Sequence, residues 1–265
     1  MSMTHATREA TRIGLPVGTS PSAASRQPNP LDLPEGFRLS VVVPVYNEAA
    51  TIETLLWRVR QTGLASEITV VDDGSTDGTA ELLRRFDGQA GFTLLRHACN
   101  QGKGAALRTA FRRVTGDAVV IQDADLEYDP ADYPRLLRPL VEGQADVVFG
   151  TRFADGRGTM PRWRYAGNRL LTWLSNRFTT LRLADMETGA KAFRRSVLER
   201  IAPNLQETGF GIEPELTARL AAVPGARIAQ VPVTYCPRRW AEGKKIGWRD
   251  GLRAVWCIVK YGRGR

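Results

Sequence analysis

The strongest constraint on the fold is an alternation. Five short apolar runs rich in β-branched residues fall at 39–45, 67–71, 92–96, 118–121 and 145–150, and helix-periodic segments separate them. Runs of this length bounded by turn residues predict buried strands. Ile52, Leu55, Leu56 and Val59 recur at helical spacing and predict a helix over 49–61. A second helix is expected to run to 86, capped by Ser75 or Thr76. A third runs from 100–104 to 114, and a fourth starts at Asp129-Pro130, which read as N-cap and first helical residue. Strands alternating with helices predict βαβ units and a doubly wound, mainly parallel α/β sheet. The chain of 265 residues, 43% hydrophobic, has apolar material for one sizeable domain with a small extension.

In such sheets ligands bind at the carboxyl ends of the strands. The chemistry-bearing clusters fall there: 44–48, 72–79, 123–127 and Thr151-Arg152. The third is the most informative. Asp123, Asp125 and Glu127 follow an apolar run at every second position, so in extended chain they share one side. Without a counter-charge they would repel, and some would be protonated. A divalent hard cation resolves the conflict; an acidic turn at a strand end is the plainer explanation.

The net charge of +9, from 37 basic and 28 acidic residues, gathers in the second half. It implies either solvated surface charge or an anionic partner: a phosphorylated small molecule, an acidic membrane surface or nucleic acid. Three separated cysteines without a CxxC pattern fit a reduced, cytoplasmic protein, and two histidines argue against His-rich catalytic or zinc sites. With no apolar leader segment and no run of about 18 apolar residues, neither a signal peptide nor a transmembrane helix is expected. The chain should work in solution or on a membrane face.

Residues 1–36 are rich in Ser, Thr, Pro, Ala and Arg and read as a disordered arm. The apolar half of a domain follows over 37–152, then a less regular half over 153–247. Within it a helix is expected over 165–181, a loop at 185–189, a short strand at 190–193, helices at 196–201 and 214–222, and a strand at 226–233. A basic loop precedes a last helix within 248–265. There Trp248, Leu252, Val255, Trp256 and Val259 form an apolar stripe flanked by Arg249, Arg253 and Lys260, which suits an interfacial helix or one packed on the core. Trp163, Trp173 and Trp240 fit packing.

The segments 41–48 and 71–79, Gly102-Lys103-Gly104 and Asp123-Ala124-Asp125 resemble the signature set of family 2 glycosyltransferases with the GT-A fold. The resemblance covers about 39–260. It implies a nucleotide diphosphate sugar in the cleft, with Pro44, Tyr46, Glu48, Val71 and Asp73 at the nucleoside and Lys103, Asp123 and Ala124 also on the nucleotide sugar. It further implies Mg²⁺ or Mn²⁺ on Asp125, and on Glu127, which stands where many members carry Gln.

Gly150-Thr151-Arg152, the segment 185–193 and the loop 239–245 are similar to the dolichyl-phosphate mannose synthase branch and its bacterial polyprenyl-phosphate relatives. That branch implies a lipid phosphate acceptor, whose oxygen is already anionic and needs cations rather than a general base. Arg152, Arg239 and Lys245 are the candidates, joining Asp125 as the catalytic set, with Gly243 giving the loop freedom to close. Asp185, Thr188 and Lys191 are expected to position the acceptor, with Lys191 standing where the branch carries Arg.

The implied activity is metal-dependent, inverting transfer of a hexose from GDP-mannose or a UDP-sugar to a polyprenyl or dolichyl phosphate, by a protein peripheral to the cytoplasmic membrane face. Transfer to a hydroxyl of a polysaccharide or secondary metabolite, and nucleotidyl transfer, are the alternatives. A nucleic-acid partner is not expected, because no binding motif for one is present.

Overall fold

The computed structural model describes residues 31–153, 160–238 and 248–262, without the side chains of Trp248 and Arg249. Among these residues seven strands form one sheet: β1 (Leu39–Val45), β2 (Ala65–Asp72), β3 (Phe92–Arg96), β4 (Ala118–Ile121), β5 (Val147–Thr151), β6 (Lys191–Arg194) and β7 (Ile228–Pro232). Their order across the sheet is β3-β2-β1-β4-β6-β5-β7. The pairings β1 with β2, β1 with β4, β2 with β3 and β5 with β7 are parallel, while β6 runs antiparallel to both β4 and β5. The expected mainly parallel α/β sheet is therefore present, with one reversed strand in its middle.

The helices are α1 (Ile52–Gln61), α2 (Thr79–Arg84), α3 (Lys103–Phe111), α4 (Tyr133–Val141), α5 (Arg162–Thr179), α6 (Arg195–Ile201), α7 (Ile212–Ala221) and α8 (Trp248–Gly262). Both faces of the sheet are covered, because the pleat sends alternate β1 residues to opposite cores. Val41, Val43 and Val45 meet Ile52, Leu55 and Val59 of α1 and Leu136, Leu137 and Leu140 of α4. Val42 on the other face joins Leu107 and Phe111 of α3, Leu198 of α6, Leu216 of α7 and Ile258 of α8.

Two boundaries differ from the sequence expectation for local reasons. Helix α2 begins at Thr79 behind Gly78, whose φ of 96° needs no side chain. Ser75 and Thr76 do not cap it. Ser75 Oγ accepts from Asn47 N–H at 2.9 Å, and Thr76 N–H donates to Asn47 Oδ1 at 2.8 Å, so these residues brace the β1 exit against the β2 exit. Asp129 does accept from Ala131 N–H at 3.0 Å, but the turn it opens, Pro130–Asp132, is 3₁₀ and precedes α4.

Helix α5 packs Leu171, Leu174 and Phe178 against the core but is apolar on its outer side as well. Its buried residues are Thr172, Ser175 and Thr179, while Trp163, Leu170 and Trp173 are 66%, 61% and 63% exposed. Trp163 and Trp173 are thus not packing residues. Helix α8 is packed and exposed at once. Ala254, Cys257 and Ile258 are buried, and Glu207 clamps the helix through Arg253 Nη2 at 2.8 Å and Tyr261 Oη at 2.7 Å. Leu252, Val255 and Trp256 face outward. Among the described residues no helix is long and apolar enough to cross a membrane.

Candidate active site

A cavity of about 790 Å³ lies at the carboxyl edge of the sheet, a size suited to a nucleotide-sized ligand. Its lining includes Pro44, Tyr46, Glu48, Asp73, Lys103, Asp123, Ala124, Asp125, Glu127 and Arg152. Ten of the residues named from sequence thus meet at one place. Helices α5 and α8 wall the opposite side with Trp163, Gly167, Asn168, Leu171, Gly251 and Ala254.

Lys103 is fixed from its backbone outward. Gly102 has a φ of 98°, and a Cβ there would stand 2.5 Å from the Thr208 carbonyl oxygen. The adjoining Gly102 N–H donates to Asp73 Oδ2 at 2.6 Å, and Gln101 N–H donates to the same carboxylate. Asp73 also contacts His97 Nδ1 at 2.6 Å, so this buried carboxylate holds the turn that presents Lys103. Lys103 Nζ lies 2.7 Å from Asp123 Oδ1 and 2.9 Å from Glu213 Oε1. Burial opposes the Lys103 charge, but those two carboxylates overrule it and raise its pKa. The same holds for Glu213 with opposite sign: burial works against its charge, and Lys103 and Lys191 hold its carboxyl down at about 2.

The acidic segment is a turn rather than extended chain. Strand β4 ends at Ile121, Leu126 has a φ of 61°, and Glu127 N–H donates to Asp125 Oδ1 at 3.1 Å. The three carboxylates therefore diverge. Asp123 turns to Lys103. Glu127 accepts from Tyr235 Oη at 3.0 Å and from Arg238 N–H at 2.9 Å. Among the described residues no cation forms an ion pair with the Asp125 carboxylate. Burial first, then Asp123 and Glu127, push its carboxyl up to about 7, although Arg238 offsets part of this. That frustration fits a cation at Asp125. Glu127 fits as a second ligand only if it shares oxygens already bonded to Tyr235 and Arg238.

Arg238 was not anticipated, although it adjoins Arg239 in the same basic run. Its guanidinium grips the Glu48 carboxylate through both Nη atoms, and its Nε donates to the Asp125 carbonyl at 3.0 Å. It thus ties the exits of β1 and β4 to the segment after β7. Glu48, expected at the nucleoside, is engaged by this pair and by Thr51 Oγ1 at 2.9 Å. Arg239 and Lys245 lie outside the described residues.

Arg152 lines the cavity beside the Tyr235 ring, 5.2 Å from its centroid. Asp185 holds it by a bidentate pair, with Nε and Nη2 each at 2.7 Å. Four expectations are corrected. Val71 is sealed in the core, because β2 is covered on both faces, and it does not line the cavity. Lys191 is fully buried, bonded to Glu213 and the Met186 and Thr188 carbonyls, and stacked over Phe149; it is a strut, out of reach of a phosphate. Thr188 is fully buried as well, and Asp185 nearly so; Asp185 orients Arg152 rather than facing the cavity. Their loop instead presents Glu187 to the cavity, and α7 presents Glu213. Neither was legible, since an isolated Glu in a sequence carries no sign of burial.

A mainly parallel sheet with acidic turns and a basic floor at its carboxyl edge defines a GT-A glycosyltransferase. The family model described as glycosyl transferase family 2 matches residues 40–202, and the chain belongs to that family. An undecaprenyl-phosphate mannosyltransferase of Micrococcus luteus is 30% identical over 235 residues, covering 85% of this chain and 94% of the relative. Glycosyltransferase AglJ of Haloferax volcanii is 36% identical over 209 residues, covering 78% of this chain and 65% of AglJ. A solved glucosyl-3-phosphoglycerate synthase of Mycobacterium tuberculosis, in complex with Mn²⁺, UDP and phosphoglyceric acid, is similar at a TM-score of 0.66 and 25% identity, covering 86% of this chain and 80% of that one. The chain spans about half of a third relative, an undecaprenyl-phosphate 4-deoxy-4-formamido-L-arabinose transferase of Pseudomonas paraeruginosa.

Proposed function

We propose that the cavity holds a nucleoside diphosphate hexose and that the chain transfers the hexose to the phosphate of a polyprenyl phosphate at a membrane surface. Helix α5 is the observation that carries the acceptor class. A helix at a water-facing surface hides its large apolar side chains; α5 packs Leu171, Leu174 and Phe178 inward yet still shows Trp163, Leu170 and Trp173. It bears Arg162, Arg164, Arg169 and Arg177 and no carboxylate. Beside it on α8, Arg253 and Lys260 sit over the Trp256 ring at 4.3 and 4.5 Å. Tryptophan with flanking cations suits the headgroup level of an anionic bilayer. The same two helices wall the cavity, so a lipid phosphate has a short way in. The names of the Micrococcus and Pseudomonas relatives support the same acceptor.

The residues divide the work. The acceptor phosphate is anionic and needs no general base. Arg152, held by Asp185, offers it a fixed positive charge, and Lys103 supplies a second cation on the floor. Asp125, with Glu127, would hold Mg²⁺ or Mn²⁺, which when bound neutralises charge on the departing diphosphate. The Mn²⁺ and UDP in the synthase complex support that cofactor. Attack opposite the diphosphate inverts the anomeric centre. Arg239 and Lys245, outside the described residues, belong to this reading as further cations for the phosphates.

The test is transfer of labelled hexose from GDP-mannose, UDP-glucose and related donors, with Mn²⁺ or Mg²⁺, into the lipid phase of vesicles containing polyprenyl phosphate. Label in that phase with at least one donor is expected. The likeness to the phosphoglycerate-bound synthase favours a second reading, a soluble phosphorylated acceptor. Transfer to phosphoglycerate or another soluble acceptor, with none to polyprenyl phosphate, would overturn the first.

A further inference from the structure

Glu187 differs from the other acidic residues around the floor of the cavity. Asp123 pairs with Lys103, Glu213 with Lys103 and Lys191, and Asp185 with Arg152. Glu187 is half-buried and lines the same cavity, yet it bonds to no described residue; of its two carboxylate oxygens only Oε1 is shut off from solvent, and it has no partner there, which leaves the other oxygen to the cavity. The loop cannot swing it away. Two residues before it Asp185 is locked on Arg152, and two residues after it Gly189 N–H donates to Tyr128 Oη at 2.9 Å. A Cβ at Gly189 would collide with Asp123, so the backbone there is pinned as well. Burial first, then Glu213, push the Glu187 carboxyl up to about 7, with Lys191 and Arg152 offsetting part. A buried acceptor left unpaired costs stability, and such groups are retained where a ligand completes them.

The surroundings select the ligand class. An anionic phosphate is repelled by Glu187 with Glu213 behind it. A metal cation is disfavoured by Lys191 and Arg152, which already act on Glu187. A neutral hydroxyl donor is left. We propose that Glu187 accepts a hydrogen bond from a ring hydroxyl of the transferred hexose and so helps decide which hexose fits. This rests on the cavity being the nucleotide-sugar site.

Calorimetric titration tests it, comparing UDP with UDP-glucose and GDP with GDP-mannose, Mg²⁺ present, on wild type, Glu187→Gln and Glu187→Ala. Nucleoside diphosphates should bind all three proteins alike. The nucleotide sugar that wild type binds should lose about 10- to 100-fold in affinity for Glu187→Ala. Glu187→Gln, whose amide keeps an acceptor oxygen, should lose less. Because the carboxylate has no native partner, Glu187→Gln should not lower the melting temperature of the free protein, whereas loss of a structural strut would. An unchanged ratio of sugar-nucleotide to diphosphate affinity in Glu187→Ala overturns the assignment alone. So does earlier melting with equal losses for both ligand types. Failure of wild type to bind any of the four nucleotides overturns the nucleotide-sugar reading, and this assignment with it.

Discussion

The Lys103 ammonium stands 2.9 Å from the Glu213 carboxylate and joins the start of α3 to the first turn of α7 beneath the cavity. Glu213 also receives Lys191, so one buried carboxylate answers two buried ammonium groups. Removing it leaves both undercompensated. Glu213→Gln is expected to destabilise by about 3–5 kcal/mol, read from urea unfolding. The Glu213 carboxyl is held at about 2, below its ordinary 4.5. Its contribution is therefore present above about pH 4.5 and lost as pH falls toward 2, and the variant should show a flatter acid limb.

Glu187 has the opposite sign. Its folded carboxyl titrates at about 7, above the ordinary 4.5, so the folded state favours the protonated form. The cost of its charge is absent below about pH 4.5, grows as pH rises through 7 and then levels off. The stability of Glu187→Gln relative to wild type should rise across that window by about 1–3 kcal/mol. A difference independent of pH would mean that Glu187 is not strained by its charge.

Arg238 is only 14% exposed at its side chain and Glu48 7%, so the pair is largely desolvated. Arg238→Ala should destabilise by about 2–4 kcal/mol and raise the donor KM, because Glu48 and the Asp125 turn lose their tie. Arg238→Lys should rescue little, since a point charge cannot replace the two-pronged grip and the Nε bond. Full rescue by Lys would reduce the role to simple charge.

Asp125→Ala should lower metal-dependent turnover at least about 100-fold, measured by Mn²⁺ titration of the transfer assay. Without metal the variant should melt no earlier than wild type, because the removed carboxylate is itself destabilised by burial and by Asp123 and Glu127. Unchanged turnover would remove Asp125 from the metal site.

The double variant Leu170→Ser, Trp173→Ser should weaken binding to phosphatidylglycerol-containing vesicles about tenfold or more, as sedimentation reads it. Melting should change little, since both side chains face outward. Equal vesicle binding, or a wild-type dimer that the variant dissociates, would assign this face to something other than lipid.

Residue order alone determined the alternation of strands and helices and the cleft at the carboxyl edge, because apolar periodicity and turn residues are local signals. It also carried the family motifs. It did not determine the reversal of β6 in mid-sheet or the turn at Asp125, where a local hydrogen bond and Leu126 break the extended spacing that alternate carboxylates implied. Nor did it separate the two uses of one loop: Lys191 was expected to position the acceptor and became a buried strut, while Glu187 looked unremarkable and faces the cavity. Helix α5 has apolar spacing whichever side it shows, and only its packing against α7 and α8 leaves Trp173 outward and Trp163 at the cavity wall. Pairing and burial are set by residues distant in sequence, so charge roles and helix facing belong to the tertiary structure.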